Sequence, residues 1–182
     1  MGYALAEVAA KLGAEVVLVS GPTTLPPPLG IKFVAVETTE EMYDAVRRRF
    51  GQIDCLIMAA APADFTPTAP KSRKIKKGDG GLELALKPTI DILARLGKQK
   101  KQQVLVGFAL ETDDGVANAR KKLKAKNLDL IVLNSPSDPN SAFDFDTNQV
   151  TIIRPGQKPE AWPLLQKQEV ASRILALVSS LL

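Results

Sequence analysis

The sequence predicts an α/β protein of three layers, with helices on both faces of a mostly parallel sheet and a small antiparallel extension near the carboxyl end. Three observations predict it. Short apolar runs, such as residues 14–19 and 128–134, have the unbroken hydrophobicity of strands buried on both faces. Segments of helical period alternate with those runs, the signature of consecutive β-α-β units. Beyond residue 149 the apolar runs become shorter and lie close together, as in an antiparallel pair. The alternation makes the fold Rossmann-like.

Each element follows from local chemistry. Leu5, Val8, Ala9 and Leu12 fall at i, i+3, i+4 and i+7 of a first helix, and Gly13 stands where a helix ends. Ala14–Val19 is a buried strand, so this helix is the second half of a β-α-β unit whose first strand does not precede it here. The stretch from Gly21 to Pro28 is loop, and Ile31–Val36 the next strand. Thr38 and Glu41 have the spacing of a capping box, opening a helix to about Phe50. Asp54–Ala60 is a third strand. Residues 61–81, rich in Pro, Lys and Gly, form a loop of a length that is uncommon unless functional. Leu82–Leu86 alternates as a strand with one exposed face, and Thr89 caps a helix through Leu96. Val104–Ala109 is a strand, Gly115–Lys126 a basic helix and Leu128–Asn134 the last parallel strand. Gln149–Arg154 and Ala161–Leu165 form the antiparallel pair, and Glu169–Leu182 a closing amphipathic helix. No repeat or second core is evident, so residues 1–182 read as one domain, entered one strand late.

Composition narrows the chemistry. The 182 residues include no histidine and one cysteine, Cys55. No imidazole is available as base or metal ligand, and one thiol builds neither a disulfide nor a thiolate cluster. A metal would be a hard ion held by oxygen, such as magnesium beside a nucleotide. With 24 Lys and Arg against 20 Asp and Glu, the net charge of +4 is too small for a nucleic-acid stripe, and aromatics are few. No apolar run reaches membrane-spanning length and the start lacks a leader pattern, so the expected compartment is the cytoplasm, with no membrane and no nucleic acid as partner.

Ligands of open parallel sheets bind beyond the carboxyl ends of strands. Four such ends are candidates here: Val19–Pro22, Met58–Ala61, Gly107–Thr112 and Asn134–Pro136. The small residues after Met58 let a ligand approach the backbone. Asp64 just beyond suits a magnesium ion, a base or a ribose hydroxyl, or simply a turn. Lys71–Lys77 places five cations in seven residues, suited to a flap over phosphates or to a solvated loop. Lys122 and Lys126 share one helix face and suit a triphosphate, or the negative end of the helix dipole. Thr89–Leu93 offers free N–H groups at a helix start, and Phe108 is either core or a platform for a base or ribose. No G-x-G-x-x-G follows a strand, which weighs against a nicotinamide oxidoreductase.

In order and spacing, Met58–Phe65, Lys74–Lys77, Asp91–Leu93, Gly107–Thr112 and Lys126–Ile131 resemble bacterial phosphopantothenate–cysteine ligase. The resemblance runs from Met1 to about Asn148, and the closing helix is also in place. That enzyme is commonly the C-terminal domain of a bifunctional coenzyme A biosynthesis protein whose other half is a flavin-dependent decarboxylase. The resemblance implies a CTP- and magnesium-dependent homodimer that joins 4′-phosphopantothenate to cysteine through an acyl-cytidylate.

Position by position, it implies that Asp64 and the backbone of Met58, Ala59 and Ala60 hold the cytidine. Lys74 is the catalytic lysine of the flap, at the α-phosphate. Ile90, Asp91, Ile92 and Leu93 read the cytosine edge through main-chain groups, Phe108 packs on the nucleotide, and Lys122 with Lys126 grips the phosphates. Ile90 stands where the family commonly has proline. The family's first strand and Gly/Ser-rich turn, with an asparagine used at the acyl-cytidylate, are not among these residues. The resemblance therefore also admits a second outcome, a chain that binds CTP without turning it over.

Overall fold

A computed structural model describes residues 1–71, 73–76, 81–111, 114–134 and 145–182. Helix α1 (Gly2–Lys11) leads into strand β1 (Val17–Ser20), which pairs in parallel with β2 (Lys32–Ala35). Gly13, at φ +90°, makes the left-handed turn between α1 and β1, and Ala14 N–H closes it on Ala9 C=O. Of the expected apolar stripe on α1, Leu5 is buried, but Leu12 lies in solvent where the helix runs out past the core.

Helix α2 (Thr39–Arg47) starts with the capping box that Thr38 and Glu41 encode: Glu41 N–H donates to Thr38 Oγ1 at 3.1 Å, and Thr38 N–H to Glu41 Oε2 at 3.1 Å. A 3-10 turn (Phe50–Gln52) precedes β3 (Cys55–Met58). Two strands of an antiparallel ribbon follow, β4 (Phe65–Pro67) and β5 (Leu86–Pro88). Then come α3 (Ile92–Gly97), β6 (Val104–Leu110), α4 (Gly115–Ala125) and β7 (Leu130–Asn134). The carboxyl end carries β8 (Thr147–Asn148), β9 (Val150–Ile153), β10 (Glu160–Ala161), β11 (Leu165–Gln166) and α5 (Lys167–Ser179).

The main sheet has the order β10-β9-β7-β6-β3, parallel from β3 to β7 and antiparallel beyond, as the sequence predicts. One face packs on α1 and α5 through Leu5, Val106, Val132, Trp162 and Ile174. The other packs on α2, α3 and α4 through Met42, Leu96, Leu105, Ala119 and Leu123. The two-stranded β1-β2 sheet stands apart from the main sheet, with no ladder between β1 and β3.

Three local expectations change. The strand expected at Leu82–Leu86 is realised only from Leu86 onward; Leu82 and Leu84 are exposed and have no strand to pack against. The helix expected from Thr89 begins later, because Asp91 takes the cap: its Oδ1 accepts from Ala94 N–H at 2.9 Å. The strand expected over Ala161–Leu165 is split at Pro163, which has no N–H to give to a ladder. Glu160–Ala161 pairs with β9 and Leu165–Gln166 with β8.

Candidate functional site

The carboxyl edge of the main sheet gathers the candidate residues from four elements. Met58 ends β3 and lies in register with Gly107 of β6. A Cβ on Gly107 would come within 2.8 Å of Leu128 Cδ1 and 3.2 Å of Leu93 Cδ1, so glycine here lets α3 and the α4–β7 turn close on the strand. Past Met58 the chain surfaces: Ala59 is half-buried, and Ala60 and Asp64 are exposed.

Thr89, freed from capping, has another role. Its Oγ1 donates to Ala63 C=O at 2.6 Å, and its N–H donates to Asp64 C=O at 2.9 Å. These two bonds clamp the base of the β4–β5 ribbon, so the basic loop of residues 68–85 springs from a fixed point beside Asp64 and Ile90. Thr68 closes the ribbon on Ala85 C=O through both its N–H and its hydroxyl. Arg73, Lys74 and Lys76 in this loop are exposed. Ser72 and Lys77 lie outside the described residues, as do Thr112 after β6 and Ser135–Pro136 after β7.

Lys122 and Lys126 are one turn apart at the carboxyl end of α4, and their chains run back toward the carboxyl edge, since helical side chains tilt toward the helix amino terminus. Both are paired with carboxylates. Lys122 Nζ lies 2.5 Å from Glu111 Oε1, and Lys126 Nζ lies 2.9 Å from Asp91 Oδ2. Asp91 thus joins α3 to α4, capping one helix with one oxygen and holding the lysine of the other with its second. Ile92 and Leu93 are buried, so their side chains belong to the core and not to the open edge.

The sheet separates the candidates into two groups. Ala59 and Phe108 pack toward the α1/α5 layer, whereas Asp91, Lys122 and Lys126 belong to the α3/α4 layer. They meet only over the crest of the strands. Phe108 is half-buried there and packs against the core on that side.

Glu111 received no role from sequence reasoning, although it lies within a quoted motif. Its signal is a carboxylate directly after a buried strand: Lys122, 11 residues on, and Asn118 Nδ2 at 3.4 Å both donate to it. The Lys122 ammonium, bonded to Glu111, holds its carboxyl below the ordinary value. Asp91 is also lowered, although its partial burial alone would raise it; the Ala94 N–H and Lys126 outweigh that burial.

A carboxyl lowered in the folded state adds stability that is complete above its unfolded pKa and is lost as pH falls through the lowered folded value. We therefore expect stability to decline below about pH 4, where unfolded carboxyls titrate. Glu111→Gln should flatten that acid limb, by less than about 1 kcal/mol for so accessible a pair. Urea unfolding at a series of pH values checks this; an acid limb identical to that of the unmodified protein would remove Glu111 from the linkage.

Among the described residues no three Cys, Asp or Glu side chains converge as a metal cage. No helix there is long and apolar enough to cross a membrane.

Comparisons with known proteins converge on one family. Residues 1–182 match the family described as the DNA/pantothenate metabolism flavoprotein C-terminal domain. The chain is 49% identical over 183 residues to the coenzyme A biosynthesis bifunctional protein CoaBC of Bacillus subtilis, covering all of this chain and 45% of that protein. It is also 49% identical to a protein named cysteine/cysteine sulfinic acid decarboxylase, from an unknown prokaryotic organism, of which it covers 51%. The chain therefore spans about half the length of these curated relatives. The crystal structure of the C-terminal domain of a CoaBC protein superimposes with a TM-score of 0.81 at 41% identity, over 97% of this chain and 79% of that one. Full-length family match, identity and shared fold agree, and the chain belongs to the DNA/pantothenate metabolism flavoprotein C-terminal domain family.

Proposed function

We propose that this chain is a phosphopantothenate–cysteine ligase domain of coenzyme A biosynthesis that uses CTP. The observation that carries the reading is the delivery of two ammonium groups, Lys122 and Lys126, to the carboxyl edge of the sheet beside the clamped base of a lysine-bearing loop. That arrangement suits a triphosphate, and the similarity to CoaBC supports the pathway.

In the reaction, a carboxylate oxygen of 4′-phosphopantothenate attacks the α-phosphorus of CTP. The bond from that phosphorus to the β-phosphate oxygen breaks, and pyrophosphate leaves. The cysteine amine then attacks the acyl carbon, CMP departs with the acyl oxygen, and the amide nitrogen loses a proton. The substrates supply both nucleophiles, so a chain without histidine has to position groups and neutralise charge.

Met58, Ala59 and Ala60 offer main-chain groups to the cytidine, and Asp64 a carboxylate. Ile90 to Leu93 present their main chain to the base, and half-buried Phe108 packs on the nucleotide. Lys122 and Lys126 exchange Glu111 and Asp91 for phosphate oxygens, so the carboxylates keep the ammonium groups in place until the nucleotide arrives. Lys74 reaches the α-phosphate from the loop. With no cage of three carboxylates among the described residues, magnesium fits as an ion carried on the triphosphate, with Asp64 a carboxylate open to it beside the lysine-paired Glu111 and Asp91. The reading includes a homodimer in the cytoplasm and a flavin-dependent decarboxylase as attached domain or partner.

Pyrophosphate release tests it. Release should require CTP and phosphopantothenate together, and amide should form only when cysteine is added. Release without phosphopantothenate, or equal use of ATP, would overturn the substrate assignment. A second reading has the chain bind CTP without turnover. Calorimetric binding of CTP with no pyrophosphate release would establish that alternative.

A further inference from the structure

Beyond Phe108, the α1/α5 side of the carboxyl edge carries a pair of carboxamides, Asn134 and Asn148. Side chains alternate between faces along a strand, so Leu110 follows Phe108 onto that side. Asn134 of β7 is the register partner of Leu110 and shares its face. Val150, opposite Asn134 on β9, packs in the α1/α5 layer, as the same rule requires. Leu110 is 50% exposed and Asn134 half-buried, so both border open space at the crest of the strands. Glu111 N–H donates to Asn134 C=O at 3.4 Å, while the Glu111 side chain turns to Lys122 on the other face. Asn134 therefore stands one strand over from Glu111 and across the crest from its lysine.

Asn148, just ahead of β9 and in register with Leu165 of β11, supports Asn134 from the interior. Its Nδ2 donates to Asn134 Oδ1 at 3.5 Å. Asn148 is 2% exposed, and its own Oδ1 has no hydrogen-bond partner among the described residues. A buried acceptor without a partner weakens a fold, and native structures hold few of them. Leucine has nearly the shape of asparagine and would fill this position without an orphaned oxygen. What the carboxamide supplies that leucine lacks is a donor to Asn134. With its oxygen held from within, Asn134 turns Nδ2, a donor group, to its exposed side.

We propose that Asn134 binds the acyl substrate, donating from Nδ2 to the amide carbonyl of 4′-phosphopantothenate, and that Asn148 is the buried positioning residue that aims it. The identity of the acyl group rests on the ligase reading. In that reading the triphosphate lies with Lys122 and Lys126 on the α3/α4 side. The carboxylate that attacks it comes over the crest, and the chain behind that carboxylate extends on the α1/α5 side. Only a short methylene chain separates the carboxylate from the substrate's amide, so the amide falls near the crest. Asn134 meets its carbonyl there, and exposed Leu110 offers apolar surface beside it. A neutral donor suits a neutral carbonyl, whereas a lysine at this place would compete for the phosphates.

The test is calorimetric titration of the full chain with 4′-phosphopantothenate. Asn134→Ala should weaken binding about tenfold, the loss of one good hydrogen bond, with CTP affinity unchanged. Asn134→Asp keeps the size and the acceptor but loses the donor, and should weaken binding at least as much. Asn148→Leu removes the orphaned oxygen and leaves half-exposed Asn134 to water. Its Tm should equal or exceed that of the unmodified chain, while affinity for 4′-phosphopantothenate falls by at least about threefold. A role in packing alone predicts the reverse, a lower Tm with full affinity. Unchanged affinity in Asn134→Ala, or full affinity in Asn134→Asp, would overturn the binding role of Asn134. A lower Tm or full affinity in Asn148→Leu would overturn the positioning role of Asn148. Pyrophosphate release by the unmodified chain tests the ligase reading separately. Binding that depends on Asn134 without release would remove the ligase reading and leave this site standing; release with affinity unchanged in Asn134→Ala would do the opposite. No binding of 4′-phosphopantothenate by the unmodified chain would remove both.

Discussion

Lys74→Gln is expected to lower ligation turnover by about 10²–10³-fold, the range found when a single charge-stabilising donor is removed from a transition state. The chain's melting temperature should stay the same. Lys74 is exposed and makes no hydrogen bond or ion pair among the described residues, so its loss removes no packing. Its proposed work arises only as negative charge builds on the α-phosphate during attack. An interaction made in the transition state alone lowers kcat and kcat/KM together while KM for CTP changes little. Lys122→Gln should differ, raising KM for CTP, because on the proposed reading that lysine grips phosphates in ground and transition states alike. Pyrophosphate-release kinetics on both variants separate the roles. Unchanged turnover in Lys74→Gln would sink the assignment of Lys74.

The largest stability effect is expected at Gly97. Alanine ordinarily gains about 1 kcal/mol over glycine inside a helix. Here an added Cβ would lie 2.0 Å from Lys126 O and 2.9 Å from Lys126 C, both backbone atoms. The contact joins the end of α3 to the end of α4, and Asn127 Nδ2 donates to Gly97 C=O at 3.1 Å across it. Backbone cannot rotate aside as a side chain can, so one helix must move. Gly97→Ala should therefore cost about 3 kcal/mol, the upper range for overpacking. That corresponds to a fall of about 6–12 °C in Tm for a chain of this size. Displacing Lys126 should also weaken CTP binding. Gly51→Ala, where nothing lies within 4 Å of the new Cβ, is the matched control and should leave Tm nearly unchanged. A rise in Tm for Gly97→Ala would show that the helices adjust freely.

Much of the fold was legible because its determinants are local. The Thr38/Glu41 box, the turn at Gly13 and the buried runs at Val104–Ala109 and Leu128–Asn134 each carry their signal within a few residues, and each forms an element near its expected position. The expectations that moved involve competition between neighbours. Thr89 and Asp91 are both competent caps; Asp91 caps because Thr89 is engaged by the carbonyls of Ala63 and Asp64, 26 and 25 positions earlier. The ribbon partner likewise decided where β5 begins, since Leu86 to Pro88 are the residues opposite Phe65 to Pro67.

By itself the sequence determined the layered α/β architecture, the exclusion of imidazole chemistry and the placing of Lys122 and Lys126 on one helix face. Periodicity, composition and spacing are properties of single segments. Only the tertiary structure decided what those lysines face, namely Glu111 and Asp91, brought in by a strand end and a second helix. It also decided that Phe108 lies across the sheet from them. These are pairings between segments far apart in the chain. They depend on which main-chain and charged groups remain unsatisfied once every local element has formed, and no single segment carries that information.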